Sequence, residues 1–351
     1  MKKTVLIAVI FALILLCGCS AWMNGSYASV TPHKEQSFHP EQVLAAPKNY
    51  KDIENILINM ILSGQQKKTI SMEKMSGSWQ DYVEEAVEYV SKTYPMGAFA
   101  VLDIDYEIGT SGDKAVLTVE ITYRRSMAEI GAVLQVDSQE EIEEILHSAL
   151  RFFDIRVTLS FEEYIDIDFA QIIQDYAMRY PQYVMEIPRL SVMTYPQTGS
   201  ERIVELIFSY DTGRSTLRQM QQQVDLIFSA SEIYVSGEGE EINKYAQLYS
   251  FLMNRYDYTI QPSITPAYSL LQNGVGDDKA FAAVYAAMCR QAGLDCETIS
   301  GTRSGKTWHW NILRIDDKVY FVDLLRCREN GQFFYKTQQE MTDYVWDNSD
   351  Y

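Results

Sequence analysis

The chain has 351 residues, with 48 Asp and Glu against 30 Lys and Arg, and a formal charge of −18. Such an excess of acid argues against a nucleic-acid partner, because phosphate binding draws its affinity from clustered Lys and Arg. The length allows two or three domains with proper cores, and five cysteines are too few for a disulfide scaffold.

At the N-terminus, Met1-Lys2-Lys3 is a basic start, Val5 to Leu16 an apolar run, and Leu16-Cys17-Gly18-Cys19 resembles a bacterial lipobox. The run is shorter than the roughly twenty residues a membrane span needs. Residues 1–18 are therefore expected to be a lipoprotein signal peptide, with Cys19 as the lipidated residue. The expected location is the extracytoplasmic face of the cell membrane, with the lipid on Cys19 as the membrane contact. Residues 19–49, with Gly25, Pro32, Pro40 and Pro47, have too little apolar periodicity to pack and are expected to form a stalk.

Two similar stretches follow. Each opens with an amphipathic helix (Ile53, Ile56, Leu57, Met60, Ile61; then Ile142, Ile145, Leu146, Leu150) and continues into a strand, near Thr69 to Met72 and Ile155 to Phe161. A second helix ends in Tyr94-Pro95 or Tyr180-Pro181, and a hairpin closes the unit at Tyr123 or Tyr210, with an offset of about 86 to 89 residues throughout. The pattern predicts two tandem α+β repeats, 50–135 and 136–222. Neither contains a metal-spaced Cys or His cluster. His147 is expected at a helix boundary, and Arg124, Arg125 and Arg214 are expected to be charged ends of the hairpins.

The second stretch leads through a helix, about Thr216 to Phe228, into one carrying Tyr245, Leu248, Tyr249 and Leu252. Gly274-Val275-Gly276-Asp277-Asp278-Lys279-Ala280-Phe281 then opens a helix whose apolar stripe is Phe281, Val284, Tyr285, Met288 and Cys289. Ala292-Gly293-Leu294 ends it before Cys296, Trp308-His309-Trp310-Asn311 reads as a strand, and Val322-Asp323 ends the next. The tail from Gln332 to Tyr351 is polar and aromatic and predicts a last helix.

This C-terminal series resembles the bacterial transglutaminase-like family, a papain-type fold with a Cys-His-Asp triad. The resemblance covers about residues 240 to 330, within a domain expected to span 223–351. With the two repeats, it implies an α+β chain in which two tandem α+β repeats precede a transglutaminase-like domain. Counted from Gly274 and back from Ala292, the family's cysteine falls on Asp278. The His-x-Trp-Asn register places Trp308 at the histidine, and Asp323 stands at the aspartate. An ionised aspartate is a poor acyl acceptor and an indole cannot shuttle a proton, so thiol acyl transfer is expected to be absent. Asp278 is expected to N-cap the helix, and Cys289, Cys296 and Cys327 to be core thiols, or Cys289 and Cys296 a bridge.

The resemblance implies a cleft of Asp277, Asp278, Trp308, Trp310 and Asp323 that takes peptide or cell-wall peptide ligands, without metal or cofactor. The expectation leans away from an enzyme. The alternative is a divergent hydrolase using Asp278 and Asp323, or a shifted His309. Because side chains alternate along a strand, His309 is expected to point away from the site.

Overall fold

The computed structural model describes residues 46–235, 239–261 and 265–347. The predicted signal peptide, Cys19 and the stalk up to residue 45 lie outside the described residues. None of the described helices is long and apolar enough to cross a membrane.

The first unit runs α1 (Tyr50–Ser63), β1 (Lys67–Ser71), α2 (Trp79–Lys92), α3 (Pro95–Ala100), β2 (Val101–Ser111) and β3 (Lys114–Tyr123). Asn49 caps α1 by accepting from Asp52 N, and Gly64 ends it in the left-handed region, as a helix stop requires. The predicted stripe Ile53, Ile56, Leu57, Met60 and Ile61 is buried against a sheet of order β1-β3-β2. Tyr123 ties the hairpin to α1, its hydroxyl donating to Met60 O at 2.9 Å.

A short helix α4 (Met127–Gly131) and strand β4 (Leu134–Gln135) lead to the second unit: α5 (Gln139–Phe152), β5 (Arg156–Phe161), α6 (Phe169–Arg179), β6 (Arg189–Tyr195) and β7 (Arg202–Ser209). Its sheet has the order β4-β5-β7-β6. In each unit, then, the last strand lies between the other two of the helix-strand-helix-hairpin pattern, and β4 is an addition running parallel to β5. Descent of the two units from one repeat is a proposal. His147, predicted at a boundary, is half-buried and stacks on Tyr176 with ring centroids 4.2 Å apart; burial lowers its pKa.

The arginines are not simple caps. Glu205 on β7 is wholly buried, and Arg125 of the first unit reaches it at 2.6 Å while Arg156 approaches at 3.2 Å. Arg125 also lies over the Phe99 ring, at 4.9 Å, and Phe99 packs edge-on against Tyr195. Arg125 therefore joins the two units, because a carboxylate with no access to water needs a charged partner. Arg124 donates to Val101 O, and Arg214 donates to Phe152 O and pairs with Asp154.

The C-terminal part comprises α7 (Arg214–Tyr234), α8 (Glu241–Met253), β8 (Asp257–Tyr258), a π turn (Tyr268–Gln272), β9 (Val275–Gly276), α9 (Asp278–Gln291), β10 (Cys296–Arg303), β11 (Lys306–Ile315), β12 (Lys318–Val322), α10 (Leu324–Glu329) and β13 (Tyr344–Val345). The helix α7 extends beyond its predicted end. Every residue of α9 from Ala280 to Cys289 is buried, not only the predicted stripe. A helix buried all round is central, and the alanines between the large side chains allow neighbours close approach.

The sheet has the order β12-β11-β10-β13. The predicted terminal helix is absent among the described residues of the tail. Apart from one 3₁₀ turn (Gln338–Glu340), the tail bridges Phe321 through Lys336 and then adds β13 to the edge of β10. Gly301 permits that addition, since a Cβ there would stand 2.4 Å from Val345 O.

Candidate functional site

The site begins at the entry to α9. Gly274 adopts φ 79°, a conformation that glycine reaches without strain, and turns the chain into β9, which pairs in parallel with β8. Asp277 follows with extended backbone, and its side chain accepts from Ala280 N at 2.9 Å. The N-cap is therefore Asp277 and not Asp278. Asp278 is the first helical residue, and its carboxylate is released from capping to reach the sheet.

There it meets His309. Oδ2 of Asp278 accepts from the backbone N–H of His309 at 2.8 Å and lies 2.8 Å from its Nδ1. The expectation that His309 points away is overturned, and sheet geometry explains why. Arg303 and Lys306 close the β10–β11 hairpin around Ser304 and Gly305, both with positive φ. Counting from that closing pair, alternate pairs share hydrogen bonds. Ser300 and His309 form a pair that does not, so the His309 N–H faces away from β10. On that side β12 ends at Val322, opposite Asn311. Among the described residues no strand reaches His309 there, and the Asp278 carboxylate supplies the missing acceptor. The side chain shares its face with Asn311, two residues on, whose Nδ2 donates to Ala282 O of α9 at 2.8 Å. His309 thus lies under the helix.

Trp308 emerges on the opposite face. Its indole N–H donates to Asp323 Oδ2 at 2.8 Å. The same oxygen accepts from Tyr344 OH at 2.7 Å and from Arg303 at 3.2 Å, while Oδ1 accepts from Arg326 N at 3.0 Å and caps α10. Arg303 also lies over the Trp308 ring, at 5.0 Å. Burial and the charge of Asp323 raise the Tyr344 pKa. With four donors around it, Asp323 is a structural acceptor and not a free base. The predicted pairing of Asp278 with Asp323 as acid and base does not form around either carboxylate, each being bonded to other groups.

Of the predicted cleft residues, Asp278 and Trp308 are part-exposed, while Asp277 and Asp323 are buried, 8% and 6% exposed. Trp310 does not line it. Its ring is wholly buried and packs edge-on against Tyr344 and Trp346, with centroids 5.1 and 5.7 Å away. Tyr258, not among the predicted cleft residues, is 37% exposed, and its ring stands 6.4 Å from that of Trp308. Its pKa is raised by burial and then by the charges of Asp278 and Asp277. Arg303 and Tyr344 were also absent from the expected set. Their roles arise from a hairpin end and an added strand, which carry no local sequence signal for the site.

The three thiols lie elsewhere. Cys289, Cys296 and Cys327 are free and buried. Burial pushes the Cys289 thiol well above its ordinary value and that of Cys327 up to about 12, the reverse of an activated nucleophile. Among the described residues no group of three or more His, Cys, Asp or Glu side chains could hold a metal.

A helix entering at Asp278, beside a sheet with Trp308 on one strand and Asp323 just past the end of the next, is the frame of a known fold. Residues 229–338 match the model of the transglutaminase-like superfamily. The C-terminal part of the chain is therefore a transglutaminase-like domain, within a mixed α and β protein. No curated protein matches the chain. Solved structures that resemble it include a candidate cysteine protease from Cytophaga hutchinsonii, at 12% identity and TM-score 0.27, covering 42% of this chain and 65% of its own. A candidate protease from Parabacteroides distasonis aligns at 10% identity and TM-score 0.24 over 73% of this chain and 39% of its own. The crystal structure of a TGase aligns at 10% identity and TM-score 0.27 over 74% and 78%. The chain thus spans less than two thirds of the first two.

Proposed function

We propose that this protein is a lipoprotein, held by lipid on Cys19 at the extracytoplasmic face of the membrane. Its transglutaminase-like domain binds extended peptide or cell-wall peptide strands and has lost thiol acyl transfer. The observation that carries the proposal is the bonding of Trp308 to Asp323. An indole N–H occupies the carboxylate that, by the family resemblance, would orient an imidazole, and it can neither accept nor return a proton. Asp278 at the start of α9 supports the same conclusion, because a carboxylate in the thiolate's place cannot form a thioester.

The test is turnover of glutamine-containing and cell-wall peptides, with calorimetric binding of the same peptides. Binding without iodoacetamide-sensitive turnover is expected, and Cys289, Cys296 and Cys327 should remain unlabelled until the protein unfolds. Asp278→Cys combined with Trp308→His is expected to restore a weak, iodoacetamide-sensitive transfer. Thiol-dependent turnover by the natural chain would refute the proposal. Membrane attachment is tested separately: Cys19→Ala should appear in the soluble fraction or accumulate as precursor.

A further inference from the structure

We infer that Asp278 and His309 form an acid–base pair that activates water for hydrolysis of an acyl bond in the ligand held by the cleft. The inference goes beyond ligand binding, and it needs neither a thiol nor Asp323.

Three observations lead to it. The first is how the imidazole is held. One carboxylate oxygen meets both the backbone N–H and Nδ1 of His309, each at 2.8 Å. Two contacts to one oxygen fix the ring's position as well as its rotation. An ionised carboxylate only accepts, so it selects the tautomer with the proton on Nδ1 and leaves the lone pair on Nε2. The second is that Nε2 is given no hydrogen-bond partner among the described residues, although the side chain retains 14% exposure. The third is the surroundings: the part-exposed ring of Tyr258 lies close enough to Asp278 for that carboxylate's charge to raise the phenol pKa, and it offers an apolar surface near the pair against which an acyl group can rest.

A carboxylate that orients an imidazole is the arrangement that general-base catalysis uses. In the proposed step, Nε2 takes a proton from water as the water oxygen bonds to the carbonyl carbon of an ester or amide. When the tetrahedral adduct collapses, the bond from carbon to the leaving oxygen or nitrogen breaks. The proton on Nε2 passes to that leaving atom. One water is consumed, an acid and an alcohol or amine are released, and the imidazole returns to its starting form. His309 is then the catalytic residue and Asp278 the positioning residue.

The experiment uses the full mature chain with N-acetyl-alanine 4-nitrophenyl ester and the matching 4-nitroanilide, following kcat/KM against pH. Turnover above buffer is expected with the ester. His309→Gln should lower kcat by about 100-fold or more with little change in KM, the scale of general acid–base catalysis. Asp278→Asn keeps an acceptor for the His309 N–H but not the anionic partner of Nδ1. It should lower kcat by about 100-fold or more, as replacing the carboxylate that sets a catalytic histidine's tautomer does, and ¹⁵N NMR should show the His309 ring losing its preference for the Nδ1–H tautomer. A merely structural edge cap would change neither the tautomer-dependent rate nor the pH profile. Absence of turnover above buffer, or equal turnover in His309→Gln, overturns the inference. In either case retained peptide binding leaves the binding proposal standing, whereas loss of binding by the natural chain refutes that proposal instead.

Discussion

Two adjacent residues of β11 end on two different carboxylates, and the two sides of the strand behave differently. On the Trp308 side, Asp323 accepts from an indole, a phenol, a guanidinium and a backbone N–H. On the His309 side, Asp278 is bonded to one residue, through its backbone and its ring. The first arrangement uses the carboxylate to hold α10, β10, β11 and β13 together. The second leaves a ring nitrogen open.

The comparison predicts unequal costs of removing each carboxylate. Asp323→Ala should strip the partners from Arg303, Tyr344 and Trp308 at once and remove the α10 cap, a loss of about 3–5 kcal/mol, as for a broken buried ion pair. Denaturant unfolding measures it. Asp278→Ala should cost about 1–2 kcal/mol, because it exposes only one backbone donor and a part-exposed ring. Equal losses would collapse the distinction between a structural and an open carboxylate.

Removing single donors sharpens it further. Tyr344→Phe should cost about 1 kcal/mol in unfolding free energy, the net worth of one hydrogen bond, and leave the His309 tautomer untouched. A change in the His309 ring signals in that variant would mean that the two sides communicate.

Glu129 gives the smallest expected effect and a reference outside the site. Hydrogen bonds from the backbone and side chain of Ser126, with the nearby Arg156, lower its pKa from 4.5 to about 2. A depressed carboxylate pKa means that its stabilisation is fully present above the unfolded value and is lost as pH falls from about 4.5 through about 2. Glu129→Gln should lower stability near neutrality, flatten the acid limb of the stability curve in that window, and converge with the natural chain below it.

The periodic signals in the sequence carried far. The stripe Ile53, Ile56, Leu57, Met60 and Ile61 predicted a helix and its buried face, since burial follows a 3.6-residue period regardless of what lies opposite. The family resemblance, counted from Gly274 and back from Ala292, placed Asp278 at the start of α9 and missed the cap by one residue. The tail failed because two residues of strand, Tyr344 and Val345, depend on an available edge at β10 and on the absent Cβ of Gly301.

Residue identity alone determined that Asp278, Trp308 and Asp323 cannot run a thiol triad, because that is a matter of which atoms can give or take a proton. It also determined the acidic balance of the chain. Only the tertiary structure decided that His309 belongs to Asp278, that Trp310 is core and not cleft, and that Arg125 closes on Glu205 across the two units. Each of those depends on where a neighbouring strand stops or which face a helix covers, and side-chain alternation along one strand contains no information about either.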